Sequence, residues 1–494
     1  MKAGSCNRLD DLARSIGKKI LSSESVVVAS HIDADGISAA AVASSALDNA
    51  RIQHEVIFLK KLDEEAIGML RRRAEDSLVW LTDLGSAYAS KFGISNVVIT
   101  DHHETEERDA RQDATVQTTL FSSAELSHLN PHFFGYAGAR DISGAGLAYL
   151  VSVAMDEKNQ ELAGLPVVGA IGDMQDLEAR RLTGLNTGIV ETGVRLGKIK
   201  KSLDLRLFGT ETRTLPRLLE YSSDPFLPGL SGNSIACEEF LRMLRIETLE
   251  EQGPRHWSGL ASSEKHRILS ALSRLILENG GSSRDVERLT GEVYVFPGEN
   301  KGSPTREARE FATLLNSCGR NDMPDIGMQI CKGDRGEALE KAFVLLREHR
   351  ENISNALFFV RDIGITVSGC IQHFHCADQV KDTLVGAIVG ILLNSREADR
   401  TKPMIGFAVS KEPNGEYKIK ASIRSNFEMV ERGLNLSSAV RDAAQGVGGV
   451  GGGHNVAAGA TIPLGKEAEF LESLDRKIRE QLGAHCIDAS KMAF

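Results

Sequence analysis

The chain has 494 residues and carries 58 Lys and Arg against 68 Asp and Glu, a net charge of −10. That length predicts two or three domains with sizeable cores, and the acidic balance excludes a bulk phosphate binder, so any nucleic-acid contact must come from local patches. The seven cysteines include no CxxC pair, the N-terminus has no secretory h-region, and the longest apolar run, residues 384–393, falls short of the ~20 residues a membrane span needs; the expectation is a cytoplasmic protein with reduced thiols and no membrane segment.

Residues 1–200 alternate strand-like and helix-like segments. A Val-rich run at 25–30 leads into His31-Ile-Asp33-Ala-Asp35-Gly36. Residues 37–50 are Ala-rich and helical, 54–60 read as a strand, and 63–75 as a charged helix with a solvated face. A second apolar run at 77–82 ends at Asp83, and a third at 96–100 ends at Asp101-His102-His103. Asp141-Ile-Ser143-Gly144 opens a helix that continues to Met155, and a fourth apolar run at 166–172 ends at Asp173. Short Val/Ile-rich runs separated by helices are the βαβ pattern of a buried parallel sheet.

Residues 201–305 change character. Helical segments at 215–221, 237–249 and 263–279, with few strand signals, predict a helical insert. Residues 306–355 continue as a helical connector around Asn316-Ser-Cys-Gly319-Arg320. From 356 strand signals return, at 356–361 and 364–368, followed by an amphipathic helix at 381–393. Strands at 404–410 and 417–424 flank a Pro413-Asn414-Gly415 turn. A helix at 434–445 precedes the glycine run that ends at His454, then a strand ending near Ile462 and a last helix at 466–482. The predicted fold class is α/β, with a parallel-sheet domain over 1–200 and a smaller α/β domain over 356–494.

The four acid-and-histidine clusters carry the chemistry. In an open α/β sheet the carboxyl ends of the strands line the ligand crevice. Four such strands would deliver Asp33, Asp35, Asp83, His102, His103 and Asp173 to one rim. So many carboxylates repel one another unless cations sit among them, and mixed Asp and His ligands in this number suit a pair of Mn²⁺ or similar ions. A helix N-cap explains any single Asp, but not two adjacent histidines.

Residues 448–454 form a second constellation. Consecutive glycines either make a flexible loop or turn backbone N–H groups into an anion nest, with His454 donating to a phosphate oxygen. Arg424, at a strand end in Ser422-Ile-Arg424-Ser425-Asn426, offers the planar fork that phosphates favour. Cys370-Ile-Gln-His373-Phe-His375-Cys376 alternates as a strand does and has no second ligand pair at zinc-finger spacing, so a packed strand is expected.

With these residues in view, the chain resembles the DHH phosphoesterases, and the archaeal RecJ-like exonucleases most closely. The motifs are residues 31–36, Thr82-Asp-Leu-Gly85, Asp101-His-His103, Gly172-Asp173, and Gly451-Gly452-Gly453-His454 with the trailing Ala457-Ala-Gly459. The resemblance implies a DHH catalytic domain and a DHH-associated substrate domain facing each other across a cleft, with two Mn²⁺ ions for which Mg²⁺ can substitute. His31, Asp33 and Asp83 resemble the ligands of one ion; Asp35, Asp83, His102 and Asp173 resemble those of the other, with Asp83 bridging. His103 resembles the residue that contacts the scissile phosphate, and Asp101 the one that orients a histidine.

Residues 316–320 are similar to the Asn-Ala-x-Gly-Arg element of RecJ proteins, with Ser317 in place of Ala, which implies phosphate contacts from Asn316 and Arg320. Arg424, Ser425 and residues 451–454 would hold further substrate phosphates. His31 stands where bacterial RecJ proteins carry Asp, and their OB domain is not found. The implied activity is two-metal hydrolysis of single-stranded DNA or RNA from an end, 5′→3′ on DNA. A small-substrate phosphoesterase (oligoribonucleotide, pAp or pyrophosphate) and a replisome scaffold are the alternatives. Archaeal relatives imply a GINS-type replication partner.

Overall fold

The computed structural model describes residues 2–92, 96–105, 127–222, 225–251, 253–393, 395, 398–412 and 415–483. The chain divides into two compact units, residues 1–346 and 347–494.

The first unit opens with helix α1 (Lys2–Leu21), then β1 (Ser25–His31), α2 (Ala34–Ala50), β2 (Gln53–Leu59), α3 (Glu64–Arg73), β3 (Leu78–Thr82), the short α4 (Ala89–Phe92), β4 (Val97–Thr100) and β5 (Ser127–Leu129). The five strands form one sheet in the order β2-β1-β3-β4-β5, and every pairing is parallel. The Val/Ile-rich runs that suggested strands are buried: Val28, Trp80 and Val98 pack on one face, Val27, Val79 and Val97 on the other. Asp63 caps α3 by accepting from Ala66 N, which is why that helix begins where the charge run does.

Helices α5 (Gly144–Met155), α6 (Gly164–Gly172) and α7 (Leu185–Arg195) follow. Helix α6 corrects the fourth predicted strand. A short apolar run does not distinguish a strand from a buried helix, and here the small residues decide. A Cβ on Gly169 would stand 2.1 Å from Asp35 Oδ1, and one on Gly172 would stand 2.7 Å from Ala34 Cβ. The glycines let α6 press against the start of α2. Three strand ends, not four, therefore feed the rim, and Asp173 arrives from a helix C-terminus.

Strand β6 (Lys200–Leu205) opens the insert. Within it lie α8 (Leu215–Glu220), α9 (Ser234–Met243), the two-residue strands β7 (Leu249–Glu250) and β8 (Gly253–Pro254), α10 (Ser262–Glu278) and α11 (Ser283–Glu287). Strand β9 (Thr290–Val295) closes it by pairing antiparallel with β6, from Leu205↔Thr290 to Lys200↔Val295. The insert has its own core, built on residues such as Leu218, Leu241, Trp257 and Leu272. The two bracketing strands were missed because β6, Lys-Lys-Ser-Leu-Asp-Leu, is polar and largely exposed.

Helices α12 (Ala308–Arg320), α13 (Pro324–Cys331) and α14 (Glu337–Ile363) come next. Residues 356–361, predicted as a strand, belong to α14. Ala356 and Val360 are both buried, an i,i+4 pair on one helical face.

The second unit is built on a mixed sheet of six strands: β10 (Thr366–Ser368), β11 (Ile371–His375), β12 (Met404–Lys411), β13 (Tyr417–Arg424), β14 (Val450–Gly453) and β15 (Ala457–Pro463). Their order is β10-β11-β12-β13-β15-β14. Around them lie α15 (Asp382–Leu393), α16 (Phe427–Glu431), α17 (Leu436–Gly446) and α18 (Glu467–Leu482). The 370–376 segment is a packed strand as expected, with His375 stacked on Phe407. The glycine run is an edge strand rather than a loop: Gly451, Gly452 and Gly453 pair with Ala460, Gly459 and Ala458. Residues 413 and 414 of the predicted turn, and Cys486, lie outside the described residues. Cys237, Cys318, Cys331 and Cys376 are free thiols, but Cys370 is disulfide-bonded, which corrects its reading as a reduced thiol. Among the described residues no helix is long and apolar enough to cross a membrane.

Candidate metal centre

The carboxyl ends of β1, β3 and β4, the C-terminus of α6 and the N-terminus of α5 converge on one cluster. His31, Asp33 and Asp83 bring ligand atoms within 4.8 Å of one another, as do Asp35, Asp83, His102 and Asp173, and as do Asp83, His102 and His103. Asp83 belongs to all three groups.

Each side chain is fixed by a local device. Asp33 is the N-cap of α2: its Oδ1 accepts from Gly36 N at 2.9 Å, while its Oδ2 lies 2.8 Å from His31 Nδ1. Asp35 is fully buried and accepts from Gly144 N at 2.6 Å and Ala145 N at 3.0 Å. It therefore sits on the N-terminus of α5, where backbone donors favour negative charge. Asp83 has φ +59, the left-handed region, which Asp tolerates at some cost. A Cβ on Gly144 would come within 2.6 Å of Asp83 Cβ, so α5 pins that conformation from behind.

His102 is buried. Its Nδ1 bonds the Gly138 carbonyl at 2.8 Å, and its Nε2 lies 3.2 Å from Asp173 Oδ2, 3.3 Å from Asp83 Oδ1 and 3.8 Å from Asp35 Oδ2. His103 is about half-exposed, with Nδ1 at 2.7 Å from Asp101 Oδ1. Asp101 also accepts from Ser86 N at 2.7 Å and His103 N at 3.1 Å. Asn130 bridges this loop by donating to Ser86 Oγ and to the His103 carbonyl.

The electrostatics are those of an over-charged cluster. Burial, then the charge of Asp173, pushes Asp35 up to about 7. Burial and the neighbours Asp35 and Asp33 raise Asp83 well above the carboxylate range. Burial opposes charge on His102, but Asp173 and Asp83 overcome it and raise its pKa well above the usual value. Burial also opposes ionisation of Asp101, yet the adjacent His103 holds it far below the carboxylate range, so it stays a carboxylate.

The residues fit a divalent cation. Both carboxylate oxygens of Asp83 and Nε2 of His102 are buried without a hydrogen bond of normal geometry. Buried polar atoms in that condition are costly. Donor atoms a little over 3 Å apart around a common centre match octahedral coordination at about 2.1 Å. A cation would satisfy the orphaned atoms and relieve the repulsion at once.

The Asn316–Arg320 element lies against the first motif. Asn316 Oδ1 accepts from Ala34 N at 3.0 Å, so its carbonyl end braces the His31–Asp35 loop. Arg320, at the end of α12, is largely buried within electrostatic reach of Asp33. A Cβ on Gly319 would stand 1.7 Å from the Ile32 carbonyl oxygen. Gly319→Ala should therefore push α12 off the loop, lowering stability by about 1–3 kcal/mol in urea unfolding; an unchanged midpoint would contradict this packing.

In the second unit Arg424 and Ser425 lie on the opposite side of β15 from the end of the glycine strand. Arg424 pairs in register with Ala457, Ser425 N donates to the Val456 carbonyl, and His454 N donates to the Ala457 carbonyl. Sequence reasoning missed Gly138, Gly144, Asn130 and Gln175, which hold the cluster from behind. The only signal for any of them was the Ser143-Gly144 helix entry.

Three family models match the chain. The DHH family N-terminal domain covers residues 25–170, the DHH-CID domain 207–290 and the DHHA1 domain 372–480. An uncharacterized protein of Methanocaldococcus jannaschii is 29% identical over 481 residues, which is 96% of this chain and 98% of that protein. Among solved structures, CDC45 from Entamoeba histolytica aligns with TM-score 0.59 at 12% identity, covering 97% of this chain and 99% of its own. RecJ from Thermus thermophilus, in complex with Mn²⁺, aligns with TM-score 0.56 at 15% identity over 96% of this chain. The chain spans about half the length of that RecJ, 55%. At these identities the two structures speak for the fold.

Proposed function

Because the chain belongs to the DHH family, with its N-terminal, DHH-CID and DHHA1 domains in order, we propose that it is a divalent-metal-dependent phosphodiesterase that degrades single-stranded nucleic acid from an end. The observation that carries this reading is the pair of ligand groups sharing the buried, hydrogen-bond-deficient carboxylate of Asp83. His31, Asp33 and Asp83 would hold one ion, and Asp35, Asp83, His102 and Asp173 the other. A bound pair of this kind supplies Lewis acidity toward a phosphoryl oxygen and lowers the pKa of water.

The chain's own residues do the remaining work. His103 Nδ1 is committed to Asp101, so it is Nε2 that meets a phosphate at the rim. Asp101, kept ionised, orients that imidazole toward the rim. Arg320 adds a guanidinium close to Asp33. Arg424, Ser425 and the Gly451–His454 strand end would bind substrate phosphates; their placement on either side of β15 at Ala457 favours that assignment. Mixed His and Asp ligands favour Mn²⁺ over Mg²⁺, which prefers oxygen donors and retained waters. A replisome role beside the hydrolytic one, with a GINS-type partner, belongs to the same proposal.

The test is Mn²⁺-dependent digestion of end-labelled single-stranded DNA and RNA, with products sized. Stepwise shortening from one end is expected, with circular single-stranded DNA resistant. Rapid cutting of the circle, or full activity after chelation, would overturn the reading. His454→Ala and Arg424→Ala should raise KM about tenfold or more, the scale of one charge-assisted contact, while metal content by mass spectrometry stays at the wild-type value. Loss of metal in either variant would contradict the assignment of these residues to substrate.

A further inference from the structure

The turn after Asp173 reaches back into the centre. Met174 has φ +57 and is exposed, which reverses the chain and sends the next side chain inward. That side chain is Gln175, 3% exposed. Its Nε2 donates to the Gly138 carbonyl at 2.9 Å and to the Ile142 carbonyl at 3.2 Å, and its Oε1 accepts from Asn186 Nδ2 at 2.7 Å. The two carbonyls can only accept, so the carboxamide has one orientation.

Gly138 is the residue whose carbonyl also accepts from His102 Nδ1. A Cβ there would lie 1.8 Å from the His102 carbonyl oxygen, so the two backbones are pressed together. Two residues past Ile142, the N–H groups of Gly144 and Ala145 hold Asp35. One stretch, residues 138–145, thus sets both a histidine and a carboxylate of the cluster, and Gln175 ties it down at two points.

We propose that Gln175, itself held by Asn186, is a positioning residue for the metal centre. Through the Gly138 carbonyl it keeps the His102 proton on Nδ1, and so turns the Nε2 lone pair toward Asp35, Asp83 and Asp173. Without it Gly138 and Ile142 lose a donor, the stretch relaxes, and His102 samples orientations in which Nε2 no longer faces the carboxylates. This inference rests on the metal-centre reading above.

The test is isothermal titration of Mn²⁺ into the full-length chelated protein and its Gln175→Ala and Asn159→Ala variants. Asn159 is a buried carboxamide of the same unit, bonded to Ser152 and Asn49 away from the cluster, and so reports the effect of general loosening. Gln175→Ala should weaken Mn²⁺ binding about tenfold, the lower end of what outer-sphere changes cost, while Asn159→Ala keeps the wild-type Kd at a comparable Tm loss. If Gln175→Ala does not fold, Gln175→Met fills the same volume without donors and carries the same expectation. A wild-type Kd in the Gln175 variant, or an equal loss in Asn159→Ala, overturns the positioning role alone. A wild-type protein that takes up no Mn²⁺ overturns the metal centre and this inference together.

Discussion

Asp83→Asn should change activity and metal-free stability in opposite directions. The substitution keeps shape but removes the charge of a carboxylate that is buried, without normal hydrogen bonds, and set against Asp35 and Asp33. In chelated protein that charge is a burden, so the variant should melt about 1–3 °C higher, on the order of 1–2 kcal/mol for a unit of this size. With Mn²⁺ present, the group that both ligand sets share has lost its anionic oxygens. Hydrolysis should fall by more than about 100-fold, beyond the upper end of outer-sphere changes, and bound metal should drop below the wild-type stoichiometry. Differential scanning calorimetry with and without EDTA, beside a single-turnover assay, measures both. A variant with full metal content and near-normal rate would remove Asp83 from the bridging position.

Metal should also invert the pH dependence of stability. In chelated protein Asp35 titrates near 7 and Asp83 above the usual carboxylate value of 3.8. The folded state keeps these protons after the unfolded chain has released them, so stability is lost as pH rises from about 4 toward 7 and beyond. His31 and His102, both raised above 6.5, act in the same direction: their contribution is full below that value and lost as pH climbs through their folded pKa. Asp33 and Asp101, held below the usual range, lose their contribution only as pH falls under about 4, outside this window. Chelated protein should therefore be more stable at pH 5 than at pH 8. Mn²⁺ competes with the same protons, so loaded protein should gain most at pH 8, by about 3 kcal/mol at a hundredfold excess over Kd, or roughly 4 °C for a unit of this size. Melting curves that run parallel with and without Mn²⁺ would show that the cluster does not bind it.

The legible parts of this molecule were those in which one residue type answers to one physical demand. Val26–Val28 and Val97–Ile99 announced parallel strands because only two-sided burial asks for such runs. Asp33, Asp83 and His102 stood out because a carboxylate or imidazole straight after a buried strand needs a partner. Residues 166–172 were misread because a short apolar segment has no period of its own, and its helical packing depends on which small residue meets Asp35. Residues 356–361 were misread because in Ala-Leu-Phe-Phe-Val-Arg the apolar residues are consecutive, so the single i,i+4 pair of Ala356 and Val360 does not stand out from its neighbours. The glycine run reads as either a loop or a nest, and its strand was not legible, because pairing with Ala458–Ala460 is decided by a partner strand, not by glycine. Gln175 was invisible: a glutamine's two ends matter only once the fold has brought two carbonyls and Asn186 to them. Asn316 was noticed for its motif, but its carbonyl end turned out to brace Ala34.

The pairing of Leu205 with Thr290 makes the insert a closed excursion, whose two ends leave and re-enter the first unit side by side. Closing a loop costs free energy that grows only with the logarithm of its length, and here the β6–β9 ladder already holds the ends. The excursion can therefore lengthen, shorten or change its outward face over generations while the rim it departs from stays in register. A protein built this way can acquire new neighbours without renegotiating its chemistry.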